Sequence, residues 1–525
     1  MFKEKFLSCI LVLTIIFISI FSTATYAVEK NFDLNGQLEI VLEKNETSYE
    51  GNFIAHKDNA RIILKTNDPN NTWVYINGQE VKLRPYLNKN ANKYKSINVG
   101  PYVVEGENHI VLEKNGYNTK VEMIIPYLKL KTGRAEDVGM DSNTLKKIDN
   151  IVNENIKNEI IPGAVVLVAK NGVIVKNQAY GLQQKYDMGK LVEEPVETMT
   201  NTIYDLASVT KVMATTQAIM TLVNERKLDV NDKVAKYIPE FAYNGKENVT
   251  IADLLTHTSG LTPWLPSFYY AENRKEELDF INKLPLEYET GSKRVYSDFS
   301  FMTLGAVVEK ITGQGLDEYL DKNVYKKLNM KDTYFNPPED LNYRIAATSW
   351  GNPFEYKMVD EPDFGYNVDE KAGDFKKWRN YTLIGEVNDG NSFYANEGIA
   401  GHAGLFSTTK DLAALGQTML NGGGYGTTRI YKSSVIEEFI KPQRFGQGYG
   451  FELDKSWYMG KLYSDKAFGH TGFTGTQVIF DPEYDLQIII LTNKQNVGQK
   501  PDGNYHSTGP LSRAICDIVY QSIGY

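Results

Sequence analysis

Near residue 130 the sequence changes its period, and one layered domain does not accommodate both halves. Before that point apolar and polar residues alternate in short runs punctuated by Asn and Gly. WVYINGQEV (73–81) alternates, turns at Asn77-Gly78 and alternates again, as a β-hairpin does. NHIVLEKNGYNTKVEMIIPY (108–127) repeats the pattern around Lys114-Asn115-Gly116 and reads as a second hairpin. Residues 28–130 are therefore expected to form a small all-β, sandwich-like domain. They carry no catalytic constellation.

After residue 135 the pattern is mixed. EDVGMDSNTLKKIDNIVNENIKNEIIPG (136–163) opens with polar caps and then spaces Leu145, Ile148, Ile151, Val152 and Ile156 as one helix face does. AVVLVAKNGVIVKNQAYG (164–181) predicts two apolar strands around Asn171-Gly172, and TQVIFDPEYDLQIIILTN (476–493) a further pair turning at 481–485. Residues 506–523 predict a closing helix. Strands at both ends with helices between and after them give an α/β (α+β) domain over 135–525, an antiparallel sheet flanked by helical layers. A chain of 525 residues is long enough for two such domains.

The first 27 residues are not fold material. Two lysines precede an unbroken apolar run at 6–21, and STATYA (22–27) ends in small residues suited to signal-peptidase cleavage. The run is slightly short for a bilayer span, which takes about 20 residues, so a cleaved signal is expected, with a retained anchor as the alternative. The expected location is extracellular or at the cell envelope. Only Cys9 and Cys516 occur; cleavage leaves one, which excludes an intramolecular disulfide and a cysteine metal site. None of the six histidines forms H-E-x-x-H, so neither a metal nor another cofactor is expected. A net charge of −9 argues against a nucleic-acid partner, which needs a clustered basic surface.

The chemistry centres on DLASVTK (205–211). On a helix, Ser208 and Lys211 share a face, because positions three apart are neighbours. An amine there can relay the serine proton or stabilise the alkoxide. The residues that follow, VTKVMATTQAIMTLV, are apolar around most of the circumference, as in a buried central helix. Average usage supplies about two to three Ser-x-x-Lys matches by chance in such a chain, and Ser407-x-x-Lys410 is a second copy. What separates the copies is their company. Tyr296-Ser297-Asp298 lies downstream of Ser208 ahead of an amphipathic helix, and His470-Thr471-Gly472 enters a strand. In the frame of Ser407 only four residues separate the other Tyr-Ser-Asp (463–465) from His470, and Thr408-x-x-Asp411 reads as a helix start.

In order and wide spacing these elements resemble the serine β-lactamase and penicillin-binding protein family, in its class C β-lactamase and D-Ala-D-Ala carboxypeptidase branch. IADLLTHTSGL (251–261) and GEVNDGNSFYANEGIAGHAGLFSTTKDLA (385–413) resemble the same branch. The resemblance covers about 135–520 and implies an antiparallel-sheet domain with a helical subdomain and the site at their junction. It makes Ser208 the acyl-forming nucleophile, Lys211 its partner and Tyr296 the general base. Asp298 stands where the family has the asparagine that contacts substrate. The backbone N–H groups of Ser208 and Phe473 would form the oxyanion hole, with Thr471 and Gly472 on the strand edge beside the substrate.

Two departures bear on the chemistry. Asp298 in place of asparagine puts a carboxylate beside Lys211, which favours the ammonium. His470 replaces a lysine that helps hold the substrate's terminal carboxylate, and an ordinary histidine is mostly neutral at pH 7; a weaker hold on carboxylates is expected. His257 reads as a hydrogen-bonded turn residue and His402, in AGHAG, as close backbone packing. The tyrosine-rich stretches at 266–270 and 378–382 suit packing as well as a cleft wall. The resemblance implies an exported serine hydrolase, foremost a carboxypeptidase-like enzyme on cell-wall peptides. A β-lactamase, an esterase (including one that removes D-alanine from teichoic acid) and a D-amino-acid peptidase share its chemistry. A penicillin-binding receptor without turnover is the reading of another class. The β domain would contact a wall polymer or serve as a spacer.

Overall fold

The computed structural model describes residues 38–524 except 43–45, 56–59, 85–94, 105, 117 and 126. The expected signal segment and Cys9 lie outside the described residues. The chain divides into two compact units, Met1–Pro126 and Tyr127–Tyr525.

In the first unit the alternation produces two four-stranded antiparallel sheets. One runs in the order Leu38–Leu42, Val121–Ile125, Arg61–Thr66, Lys95–Asn98; the other runs Ser48–Ala55, Gly106–Lys114, Thr72–Ile76, Gln79–Glu80. Every second residue of Arg61–Thr66 and Thr72–Ile76 is buried, and Ile62, Leu64, Val74, Ile76, Ile110 and Met123 meet in one core drawn from both sheets. The hairpin at 77–78 forms as expected: Ile76 pairs with Gln79, and Asn77 and Gly78 take φ of 50° and 76°, the left-handed pair such a two-residue turn requires. The second expected hairpin does not form. Gly106–Lys114 and Val121–Ile125 lie in opposite sheets, so the chain changes sheet between them. Both strands face the same core, so alternation around a glycine turn looks the same whether the chain folds back within a sheet or crosses to the next.

The second unit starts at Tyr127 rather than at about 135, because Lys131–Thr132 adds a short edge strand parallel to Val173–Ile174. Its sheet has seven strands, in the order Glu452–Leu453, Phe468–Thr471, Gln477–Asp481, Leu486–Thr492, Gly163–Lys170, Val173–Gly181, Lys131–Thr132. All other neighbours are antiparallel. The two central strands are buried on both faces, which is why they read as continuous apolar runs. Val165, Leu167, Ile489 and Leu491 face the larger core with the internal helices; Val166, Val168, Ile488 and Ile490 face helices Lys147–Lys157 and Gly509–Ser522. Among the described residues no helix is long and apolar enough to cross a membrane.

Candidate active site

A strained elbow starts the site. Ala207 takes φ = 46°, a left-handed conformation that a β-carbon disfavours, and its N–H is held by the Asp205 carboxylate at 2.8 Å. The elbow turns strand Tyr204–Asp205 into a helical run: a 3-10 turn at Ala207–Val209, a π-helical turn at Lys211–Thr215 and α-helix Thr216–Asn224. From the other side, the Thr474 and Thr476 hydroxyls donate to the Asp205 and Leu206 carbonyls at 2.7 and 2.8 Å. Gly472 lies so close to this segment that a β-carbon there would stand 2.3 Å from the Leu206 carbonyl oxygen. The glycine of His-Thr-Gly is therefore a steric requirement for drawing the strand end up to Ser208.

Lys211 is wholly buried, and its three N–H bonds are fully used. They point to Ser208 Oγ at 3.1 Å, Asp298 Oδ1 at 2.7 Å and the His402 carbonyl at 3.0 Å. Burial pulls the Lys211 pKa down, but the Asp298 carboxylate and then Tyr296 outweigh it, so the net shift is upward from 10.5. The ammonium therefore persists at neutral pH. Tyr296 interacts with both Lys211 and Ser208; burial raises its pKa above the ordinary 10.0 in spite of the lysine, and the phenol keeps its proton. The helix Asp298–Thr312 fixes this corner through its cap, with the Ser297 hydroxyl accepting from the Ser300 N–H at 3.3 Å.

His257 accepts the Ser297 N–H on Nδ1 at 3.1 Å and stacks on the Tyr296 ring at 4.4 Å between centroids. Burial holds its pKa well below 6.5, so it acts here as a neutral plate that sets the phenol's orientation. His470 also neighbours Tyr296, 6.1 Å between centroids. Its Nδ1 is 2.7 Å from the Thr471 carbonyl, which only accepts, so Nδ1 carries the hydrogen and Nε2 is a bare acceptor. Burial lowers its pKa as well, leaving the imidazole without charge at neutral pH. Thr471, Gly472 and Phe473 line the same cleft as Ser208 and Tyr296.

Asp205, the His402 carbonyl and Asp389 are absent from the sequence-derived set. Asp205 also accepts the Asn388 N–H at 2.6 Å, and burial raises its carboxyl to about 6. The glycine-rich AGHAG stretch does signal close backbone approach: a β-carbon on Gly401 would stand 2.0 Å from the Phe301 carbonyl oxygen. What that approach delivers to Lys211, a main-chain acceptor, has no side-chain signature. Asp389 Oδ1 lies 2.9 Å from His402 Nε2. Asp298, Asp389 and His402 bring three potential ligand atoms within 4.8 Å of one another, but the Lys211 ammonium already neutralises Asp298, so a metal cation would meet a like charge there. The 266–270 and 378–382 stretches pack against each other, Phe268 on Trp378 at 5.4 Å. The Tyr463-Ser464-Asp465 copy is a turn in which the Ser464 N–H donates to Asp481 at 2.9 Å.

A model of the Beta-lactamase family matches residues 148–507. A Bacillus subtilis (strain 168) protein named N-acetylmuramyl-L-alanine amidase is 38% identical over 381 residues, 69% of this chain and 83% of its own. A Salmonella schwarzengrund (strain CVM19633) protein named putative D-alanyl-D-alanine carboxypeptidase is 36% identical over 427 residues, 76% of this chain and 95% of its own. Among solved structures, a class C beta lactamase from Rhodobacter sphaeroides superposes with a TM-score of 0.53 at 17% identity, over 72% of this chain and 99% of that one. The fold of the second unit is thus class C β-lactamase-like.

Proposed function

Because the chain belongs to the β-lactamase family of serine hydrolases, we propose that it cleaves cell-wall peptides through an acyl-enzyme at Ser208, as a D-Ala-D-Ala carboxypeptidase-like enzyme. The observation that carries the reading is the 3.1 Å contact of the Lys211 ammonium with Ser208 Oγ inside a cleft bordered by Tyr296. Similarity to the carboxypeptidase-named relative over nearly its whole length supports the substrate class. The apolar run and STATYA at the N-terminus support export to the envelope, where such peptides lie.

A protonated Lys211 and a neutral Tyr296 define the proton route. As Ser208 Oγ attacks the carbonyl carbon, its proton passes to the phenol oxygen while the phenol's own proton passes to the departing nitrogen. No free base is consumed, and Lys211 stabilises the developing alkoxide through its hydrogen bond. The carbonyl oxygen becomes an oxyanion held by the N–H groups of Ser208 and Phe473. Water then attacks the ester, with the proton transfers reversed.

A second reading keeps this chemistry and changes the bond. Trp264, Phe354, Tyr366 and Tyr505 line a second cleft that also opens on Ser208; flat aromatic faces of this kind suit a sugar ring, and one relative is named for a muramyl amide. Incubation with diacetyl-L-Lys-D-Ala-D-Ala and with N-acetylmuramyl-L-alanine separates the two. Release of D-alanine at turnover rates is the expected result. Cleavage of the muramyl amide alone would replace the first reading by the second, and no cleavage of either would contradict both.

A further inference from the structure

The neutral His470 leaves a gap in the site, because a substrate that ends in a free carboxylate needs a cation on the leaving-group side. The cleft that holds Ser208, Tyr296 and His470 contains one other basic side chain, Lys494. Its backbone is tied down twice. Strand Leu486–Thr492 ends just before it, and its N–H donates to the Thr474 carbonyl at 3.1 Å. Thr474 in turn is bonded to Asp205, ahead of the nucleophile. The Lys494 ammonium lies 5.4 Å from the centre of the Phe473 ring, on the residue whose N–H is assigned to the oxyanion. Among the described residues its Nζ has no hydrogen-bond or ion-pair partner. Glu452 borders the same cleft without pairing to it.

We propose that Lys494 is the specificity-determining cation of this site, receiving the free carboxylate of the residue that departs from the acyl-enzyme. The assignment rests on the carboxypeptidase reading and supplies the charge that His470 lacks. Desolvation without a counter-charge pushes the ammonium of the half-buried Lys494 down to about 8, the condition of a cation whose partner has yet to arrive. Asn504, Ser507 and Thr508 line the cleft beside it and offer neutral donors to the second carboxylate oxygen. The aromatic face of Phe473 keeps the ammonium in place between turnovers. An arrangement of this kind selects for charge at the leaving group and is indifferent to the acyl side.

Calorimetric titration of the full chain with N-acetyl-D-alanine and with N-acetyl-D-alaninamide tests the proposal without relying on turnover. The wild-type protein is expected to prefer the carboxylate about 10–100-fold, the range of a charge-assisted hydrogen bond. Lys494→Met should collapse that preference to within about threefold, and Lys494→Arg should restore most of it. Equal affinity of the wild type for the two ligands, or a Lys494→Met variant that weakens both alike, overturns the proposal. A preserved carboxylate preference in a protein that fails to release D-alanine leaves Lys494 in this role and removes the carboxypeptidase reading instead.

Discussion

At Ser208 the chain has already turned into helix, so the residue three positions on returns to the same face and Lys211 comes within 3.1 Å of the hydroxyl. At Ser407 the chain is still strand. Leu405–Ser407 pairs with Tyr204–Asp205 on one side and Tyr334–Phe335 on the other, Thr408 caps the next helix, Thr409–Leu420, and Lys410 is exposed. The Ser407 hydroxyl is wholly buried and shares a hydrogen bond with the Thr333 hydroxyl at 2.8 Å. The same four-residue spacing is thus a hydrogen-bonded pair in one place and a sheet contact beside a solvent-facing lysine in the other. What differs is where the helix begins relative to the serine, which the motif itself does not encode. The two copies are neighbours in space as well: Tyr204 pairs with Ser407, so the second serine helps anchor the strand that leads into the first.

Substituting the lysines breaks the comparison most sharply. Lys211→Met removes the ammonium that holds Ser208 Oγ and should lower kcat by about 1,000-fold, whereas Lys410→Met should leave kcat within about twofold. Since the pKa values of Lys211 and Tyr296 both lie above their ordinary values, neither group loses its proton below pH 10. The wild-type kcat should show no alkaline fall from this pair up to that point; a fall near pH 7 would mean that the Lys211 ammonium is lost there, and a rise with pH through neutrality would mean that Lys211 acts as a free amine. The smaller effect belongs to Ser407→Ala, which deletes a buried hydroxyl pair. A loss of about 1 kcal/mol in unfolding free energy, read from denaturant melts, is expected, with kcat unchanged. A large loss of kcat there would show that the second serine does more than support the strand.

Much of this was legible before the structure. Asn-Gly turns flanked by alternation located the hairpins at 77–78 and 171–172, since so few residues tolerate that backbone. Continuous apolar runs located the two central strands of the large sheet. Tyr296 and His470 singled out Ser208 because three elements in order are far rarer than one. The change of sheet between Gly106–Lys114 and Val121–Ile125 was not legible, because a strand facing one core has the same pattern in either sheet. Nor was the short edge strand Lys131–Thr132, whose two residues carry no periodicity. The site's main-chain parts were hidden as well. The His402 carbonyl acts through position alone, and the Asp205 carboxylate acts on the main chain, by holding the N–H of the strained Ala207. Lys494 could be read from sequence only as one lysine among many, and the cleft it shares with Ser208 exists only after strand Leu486–Thr492 packs beside Gln477–Asp481.

The central claim is that Ser208, and not its copy, forms the covalent intermediate. Intact-mass measurement after brief reaction with a penicillin, followed by proteolysis and mapping of the added mass, tests it directly. The account predicts one acyl group per chain, on Ser208 within DLASVTK, absent from Ser208→Ala and retained by Ser407→Ala. An acyl group mapped to Ser407, or acylation that survives Ser208→Ala, would contradict it.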